Sequence, residues 1–150
     1  MAPEAPSTGF APSVVERNVE AHAHADAVWR VMVDPELGPS WLGGFRFEST
    51  WEVGGPFALV GTLNGHAYRE AGALLSVEPG RLLRFAHWSR LWRIPDIPHN
   101  RAVMTLTLIP DGDHTRVDLR HELPAGEALA QHSNFFWRGA LEQLRRVCEG

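Results

Sequence analysis

The sequence predicts an α+β domain in which a curved antiparallel sheet wraps around one long C-terminal helix. From residue 45 onward, apolar and polar residues alternate with a period of two in runs separated by turn residues, which is typical of half-buried antiparallel strands. Over residues 126–148 the apolar residues recur at spacings of three and four, which indicates an amphipathic helix. When the sheet and the helix pack together, the apolar face of the sheet and the apolar stripe of the helix are both buried.

The N-terminal part of the domain is predicted to supply one strand and a short helix. Residues 14–22 alternate weakly and predict the first strand. Asp26 is placed to cap a helix that ends at residues 34–35 (Asp-Pro), and residues 36–42 add a further turn. Residues 1–12 contain three Pro and few residues that pack, so we expect a disordered tail there.

The rest of the chain, residues 13–150, has the length of one domain with one core. Asn-Gly at residues 64–65 stands between two strand-like runs, and this pair favours a type I′ hairpin turn. The six strands predicted after the short helix cover residues 45–52, 57–63, 66–77, 81–88, 102–109 and 114–122.

Composition excludes several classes of protein. The net charge is −4, and all 14 basic residues are Arg scattered along the chain, whereas a nucleic-acid binder gathers a basic excess on one face. No apolar run approaches the roughly 20 residues that a membrane helix needs. The single cysteine, Cys148, excludes an internal disulfide and a cysteine-based zinc site. We expect a cytoplasmic protein without a secretion signal that binds neither nucleic acid nor membrane.

Several segments, in this order and spacing, resemble a known family. They cover residues 25–35, 41–42, 53–57, 72–82 and 136–144. The chain resembles the helix-grip fold of the START-like (SRPBCC) superfamily, and within it the bacterial homologues of the activator of heat-shock-protein-90 ATPase. The resemblance covers about residues 13–148 and makes residues 13–150 a START-like ligand-binding domain.

The resemblance implies a fold more strongly than a function. Members of the superfamily generally hold a hydrophobic small molecule between sheet and helix, without a cofactor. We therefore expect binding of a small, hydrophobic, aromatic ligand without its transformation. The first alternative is an enzyme of the polyketide cyclase or hydrolase type, since a few members are such enzymes. The second is a protein-interaction module, because the eukaryotic namesake regulates a chaperone.

Strand alternation predicts which polar side chains face the cavity. With a two-residue turn at residues 64–65, His66, Tyr68 and Glu70 share the inner face with Leu59. This holds only if no bulge shifts the alternation, because a slip of one residue turns every side chain over.

The same argument for the later strands places Phe85, His87 and His121 inward. Because antiparallel neighbours reverse direction, His87 and His121 are expected at the same end of the face as Tyr68, with Met104 between them. The opposite end is expected to be dry, near Leu75, Leu83 and Val117.

The predicted pocket therefore has an apolar floor and a polar rim, which is the usual design of a small-molecule site. A His beside Glu70 can act as a general base, and Tyr68 can donate to a carbonyl; alternatively, these side chains only satisfy one another at a solvated mouth. No H-x-x-x-H pair is present, so no metal site is expected. The pocket residues predicted are Trp51, Leu59, His66, Tyr68, Glu70, Phe85, His87, Met104, His121 and Phe135.

The segment over residues 88–100 is long and rich in Trp and Pro, and departs from the family pattern. Because loops run over the surface, apolar rings there indicate either a lid over the pocket or a contact in a homodimer. The four candidate residues are Trp88, Leu91, Trp92 and Ile94.

Overall fold

The computed structural model describes residues 13–124 and 126–150, so the predicted tail over residues 1–12 lies outside the described residues. The described residues form seven strands and two α-helices. Single turns of 3₁₀ helix occur at Gly38–Ser40, Arg90–Trp92 and Pro98–Asn100. The strands and helices are β1 (Ser13–Ala21), α1 (Ala25–Val33), β2 (Arg46–Ser49), β3 (Pro56–Leu63), β4 (His66–Glu78), β5 (Leu82–His87), β6 (Ala102–Asp111), β7 (His114–Leu123) and α2 (Glu127–Glu149).

One antiparallel sheet contains all seven strands in the order β1-β7-β6-β5-β4-β3-β2. The first strand pairs with the last, and the strands between them form a meander. The buried stripe of α2, including Trp137 and Leu141, joins the apolar face of the sheet in one core. This is the predicted helix-grip α+β fold. No described helix contains a stretch long and apolar enough to cross a membrane.

The β3–β4 hairpin has the turn that the sequence predicts. Asn64 and Gly65 both have positive φ, 53° and 80°, as a type I′ turn requires. The register pairs Gly61 with Tyr68 and Leu59 with Glu70. The inward direction of Tyr68 and Glu70 therefore follows from the chemistry of the turn.

The predicted dry end of the face is wrong at Leu75, which lies in a bulge of β4. Leu74 pairs with Phe85, but Ser76 pairs with Arg84, so Leu75 is an extra residue between the two pairs. Leu74 follows the unbroken alternation from Glu70 and is fully buried, whereas Leu75 is only half-buried. The extra residue reverses the alternation only beyond it. The bulge lies beyond Glu70 along the strand, so the polar half of β4 keeps its predicted direction.

Aromatic rings fill the centre of the space between the sheet and α2. Phe57 and Phe85 stack with ring centroids 4.1 Å apart, and Phe47 contacts both at 5.1 and 5.3 Å. Trp41 packs against Phe47 at 6.0 Å and against Trp137 of α2 at 6.2 Å. The floor of the domain is therefore a packed apolar core, and the polar side chains lie to one side of it.

Candidate functional site

Four polar side chains from three strands and one helix form a continuous hydrogen-bonded row. Glu70 of β4 contacts His87 of β5, with Oε1 and Nδ1 2.8 Å apart. His87 contacts His121 of β7, with their Nε2 atoms 2.9 Å apart. His121 Nδ1 lies 2.6 Å from the hydroxyl of Ser133 on α2. We call Glu70, His87, His121 and Ser133 the polar row.

The register of the central strands explains how two histidines from non-adjacent strands meet. His87 pairs with Ala102 of β6, whereas His121 pairs with Met104 of the same strand. Cross-strand partners share a face, and a methyl group at Ala102 leaves space above β6. The two imidazoles lie nearly parallel above this strand, with an interplanar angle of 10° and centroids 5.1 Å apart. The small side chain at position 102 is thus a condition for the row.

The polar row is almost entirely removed from solvent. His121 is 3% exposed and Ser133 4%, while the side chains of His87 and Glu70 keep 10% and 14%. Burial, and then the neighbouring His87, lower the pKa of His121 from 6.5 to about 2, because a buried imidazole loses the hydration that stabilises its charged form. His121 therefore stays neutral at neutral pH, and the row is reached from the Glu70–His87 end.

A single arrangement of protons satisfies every atom of the polar row. Ser133 donates to His121 Nδ1, His121 Nε2–H donates to His87 Nε2, and His87 Nδ1–H donates to the Glu70 carboxylate; these hydrogens are assigned from the network. Both nitrogens of both imidazoles are already engaged. The lone pairs left for another molecule belong to Glu70 and Ser133.

Two hydroxyl groups extend the row toward the loop after β5. Tyr68 donates to Glu70 Oε2 at 3.0 Å, and Ser89 donates to the Tyr68 oxygen. Ser89 also accepts the N–H of Leu91 and so caps the 3₁₀ helix Arg90–Trp92. Burial raises the pKa of Tyr68 to about 12. Tyr68 therefore remains a protonated donor to Glu70.

Aromatic rings surround the polar row. Trp92 lies edge-on to His87 with centroids 5.5 Å apart, and Trp137 lies edge-on to His121 at 6.2 Å. Phe45 contacts Tyr68 at 5.8 Å. The guanidinium of Arg90 lies 5.0 Å from the centre of the Tyr68 ring, within the range of a cation–π contact. The polar groups are thus surrounded by aromatic side chains.

One buried polar group beside the row has no partner. Trp41 is 1% exposed, and its indole N–H has no acceptor among the described residues. A buried donor without an acceptor costs about 1–3 kcal/mol. The Trp41 ring packs against Trp137, which in turn lies edge-on to His121.

The structure brings together Tyr68, Glu70, His87 and His121, four of the predicted pocket residues. Phe85 and Met104 are 3% and 0% exposed and belong to the apolar core. Trp51 and Leu59 are half-buried and pack against its margin.

Two predicted pocket residues lie apart from this group. His66 directly follows the hairpin turn and is exposed. Phe135 is 71% exposed. Residues in a helix advance by about 100°, so a residue two positions before the buried Trp137 points to the opposite side of α2. Being apolar at helical spacing did not place Phe135 on the buried stripe.

Sequence reasoning missed Ser133 and Ser89. A signal for Ser133 was present, because it lies four residues before Trp137 and therefore on the same stripe of α2. Ser89 gave no such signal, since it lies just beyond the end of a strand.

The candidate lid residues fall into two groups. Trp92 faces His87, whereas Leu91 is 56% exposed. The indole N–H of Trp88 donates to the carbonyl of Ile94 at 2.9 Å and closes the loop on itself. Of the four, Trp92 contacts the polar row.

Two depressions elsewhere on the described part of the protein, of about 540 and 390 Å³, do not border the polar row. The larger is lined mostly by charged and polar side chains of β1, β6 and β7. The smaller lies between β1 and α2. Neither has the apolar wall expected of a site for a hydrophobic molecule.

Comparison with solved structures shows the same fold. ChR145 from Cytophaga hutchinsonii is 27% identical, with a TM-score of 0.74 over 90% of this chain and 92% of that chain. CV1439 from Chromobacterium violaceum is 21% identical, with a TM-score of 0.74 over 91% of this chain and 97% of that chain. DynU16, a protein of the dynemicin biosynthetic locus, is 16% identical, with a TM-score of 0.70 over 89% of this chain and 46% of that chain.

Comparison of the sequence with protein families identifies the chain more narrowly. No curated protein matches it. A sequence model of the family described as activator of Hsp90 ATPase homolog 1-like protein matches residues 22–149, from the end of β1 to the end of α2. The match, the helix-grip fold and the order of the elements agree. The chain belongs to the activator of Hsp90 ATPase homolog 1-like family.

Proposed function

We propose that the protein binds a small, hydrophobic, aromatic molecule between the sheet and α2, to one side of the packed aromatic core, with a polar group of that molecule at the Glu70–His87 end of the polar row. The observation that carries this proposal is the row itself. A domain gains more stability from apolar side chains than from a buried acid and two imidazoles, since replacing buried ionic groups by packed apolar residues is often neutral or stabilising. A polar network set in an apolar wall is the usual composition of a ligand site.

The hydrogen-bonding capacity of the site selects the ligand. Since all imidazole nitrogens are engaged, the atoms that remain at the accessible end are acceptor lone pairs of Glu70. The ligand group that meets them is a donor, such as a phenolic or enolic O–H. The half-buried rings of Trp92 and Phe45 favour an aromatic body.

The family also supports this proposal. Folds of this class often enclose hydrophobic molecules, and the structurally similar DynU16 comes from a locus for the synthesis of a small molecule. At 16% identity this similarity concerns the fold alone. The choice of a donor-bearing aromatic ligand therefore rests on this chain's own polar row.

We expect Trp92→Ala to weaken binding of a neutral aromatic probe by about fivefold, because edge-on aromatic contacts contribute about 0.5–1.5 kcal/mol. N-phenyl-1-naphthylamine is a suitable probe, since it is apolar, carries one N–H donor and fluoresces more strongly in apolar surroundings. A fluorescence titration of the wild type should give one bound molecule per chain.

Leu91→Ala is the matched control, because Leu91 lies in the same 3₁₀ turn and is 56% exposed. It should bind the probe as the wild type does. Equal loss in both variants, or no saturable binding to the wild type, would contradict the proposal. Native mass spectrometry of freshly purified protein would then reveal the mass of any ligand that co-purifies.

A second candidate function, acid–base catalysis, is favoured by the free lone pairs of Glu70. Glu70 has a hydrogen bond on each carboxylate oxygen and keeps lone pairs for a substrate, while the hydrogen bond from His87, itself held by His121, fixes the position of the carboxylate. The sequence suggested a histidine as the base with Glu70 orienting it. In the observed geometry the free lone pairs make Glu70 the base, and His87 orients its carboxylate.

The reaction expected of such a base is removal of a proton from a carbon next to a carbonyl. Glu70 takes the proton and leaves an enolate, and a solvent deuteron then returns to the carbon in D₂O. With 2-tetralone as substrate, the wild type should accelerate loss of the α-proton signals in NMR spectra. Glu70→Gln should lower that rate by at least about 100-fold.

Glu52→Gln is the control for this experiment, because Glu52 is exposed in the loop before β3 and no hydrogen bond joins it to the polar row. It should exchange at the wild-type rate. Exchange that is no faster than in buffer, in a protein that still binds N-phenyl-1-naphthylamine, would leave binding as the function and eliminate catalysis.

We also propose that the protein is located in the cytoplasm. Burial raises the pKa of the half-buried Cys148 thiol to about 11, so this cysteine remains an unreactive thiol at neutral pH. A single unreactive thiol fits a reducing compartment.

A further inference from the structure

We infer that the protein binds a divalent transition-metal ion of the Zn²⁺ class at a second site, formed by His22, Asp113 and His114. One oxygen of the Asp113 carboxylate lies 3.1 Å from His22 Nε2, and the other lies 2.7 Å from His114 Nδ1. One candidate ligand atom from each of the three residues lies within 4.8 Å of the other two. We call these three residues the surface triad.

The β1–β7 pairing builds the surface triad from residues far apart in sequence. Ala21 pairs with Thr115, so the next residue along each strand, His22 and His114, face one another just beyond the paired segment. The hydroxyl of Thr115 donates to the carbonyl of Ala23 at 2.8 Å, which fixes the backbone on the other side of His22. His22 and Asp113 are 91 residues apart, so no short sequence motif contains all three residues.

The two imidazoles are already held side by side. Their rings stack with centroids 4.5 Å apart and an interplanar angle of 9°. The backbone N–H of His22 donates to Glu149 of α2 at 2.8 Å, which holds this segment against the end of the helix. Much of the conformational freedom that two separate surface histidines lose on binding a metal is therefore already lost in the fold.

The ligand atoms need only a small adjustment to enclose an ion. With metal–ligand distances of about 2.0–2.1 Å, tetrahedral ligand atoms lie about 3.3 Å apart. The carboxylate is already within this distance of both rings. The three side chains are 61%, 68% and 44% exposed, so they can close without disturbing the core, and water can complete the coordination.

The donor set selects the class of metal. Two imidazole nitrogens and one carboxylate oxygen suit Zn²⁺, Ni²⁺ and Cu²⁺, whereas Mg²⁺ and Ca²⁺ prefer oxygen ligands alone. Asp113 supplies the carboxylate oxygen of this set, and both of its oxygens already contact an imidazole.

The surface triad is independent of the proposed ligand site. His114 and His121 stand seven residues apart on β7, which corresponds to roughly 23 Å along an extended strand. A variant of the triad should therefore leave binding of N-phenyl-1-naphthylamine unchanged, so that failure of this inference and failure of the proposed function can be told apart.

Isothermal titration of the tag-free protein with ZnCl₂ tests the inference. We expect one ion per chain with micromolar affinity, and no heat of binding with MgCl₂. His114→Ala and Asp113→Asn should each weaken Zn²⁺ binding by about tenfold or more. His24→Ala and His66→Ala are the controls, because both replace exposed histidines outside the triad, and they should bind as the wild type does.

Thermal unfolding supplies a second measurement, because an ion that binds only the folded protein raises its Tm. ZnCl₂ should raise the Tm of the wild type and of His24→Ala, but not that of His114→Ala. Equal Zn²⁺ affinity in His114→Ala and the wild type, or no binding to the wild type, would overturn the inference.

Discussion

Gly72→Ala should destabilise the protein by about 3 kcal/mol or more, at the upper end of what overpacking costs. Gly72 pairs with His87 across β4 and β5. A Cβ at Gly72 would lie 1.9 Å from the carbonyl oxygen of Ala86 and 3.0 Å from the Cα of His87. Because both are backbone atoms, no side-chain rotation relieves the clash and β5 must move away. Urea unfolding at neutral pH measures the loss.

Gly139→Ala is the matched control for this prediction. Gly139 lies inside α2, and a Cβ there meets nothing within 4 Å. Since alanine favours a helix by up to about 1 kcal/mol over glycine, this variant should be as stable as the wild type or more stable. If Gly72→Ala unfolded at the wild-type urea concentration, the close approach of β4 and β5 at this point would be wrong.

The clash at Gly72 should also displace His87 in the polar row. A shift of β5 carries His87 away from Glu70, because the two side chains project from the paired strands at this point. Gly72→Ala should therefore lose both probe binding and proton exchange under conditions in which it remains folded. Gly72 thus acts on the site through strand spacing and contacts no ligand itself.

Acidification should destabilise the protein through His121. In the unfolded chain this histidine binds a proton below its ordinary pKa of 6.5, whereas in the folded protein its pKa is lowered to about 2. Between these values the unfolded state carries the extra proton, so the free energy of unfolding falls as the pH falls. The slope for one group is about 0.7 kcal/mol per pH unit at pH 6.5 and approaches about 1.4 at lower pH, which amounts to about 2.3 kcal/mol between pH 6.5 and 4.5.

Comparison of variants isolates this contribution from that of the carboxylates. His121→Gln removes the titrating group, so its stability should decline less steeply between pH 6.5 and 4.5 than that of the wild type. His66→Gln replaces an exposed histidine and should decline as the wild type does. Urea unfolding curves at several pH values provide the measurement. Parallel curves for wild type and His121→Gln would show that His121 is accessible to protons in the folded protein.

Strand alternation correctly predicted the inward direction of most polar side chains of the site. The Asn-Gly turn determined the register of β3 and β4, and this register placed Tyr68 and Glu70 on the inner face. The alternation of β5 and β7 placed His87 and His121 there as well. These predictions depended only on local geometry, in which side chains of a strand alternate and hairpin partners share a face.

The direct contacts within the row depended on more than alternation. His87 and His121 meet because position 102 on the intervening strand carries only a methyl group. Ser133 completes the row because of the rotation of α2 about its axis, which also turned Phe135 outward. The extra residue Leu75 reversed the face of β4 at a point that no turn residue marks. Each of these outcomes requires the packing of elements that are distant in sequence.

The amino-acid sequence by itself determined the fold class, the order of the strands and helices, and the face on which most polar candidates lie, because hydrophobic period and turn chemistry are local properties. Only the tertiary structure decided that Glu70, His87, His121 and Ser133 form one hydrogen-bonded row, and that His22 lies beside Asp113 and His114. The polar row joins side chains of three strands and a helix, and the surface triad joins the paired ends of β1 and β7. The distances within them depend on strand order, helix rotation and the size of the residues in between. The alternation of residues along a strand predicts the face on which each side chain lies. Contacts between side chains of different strands form only when all of the strands are in place.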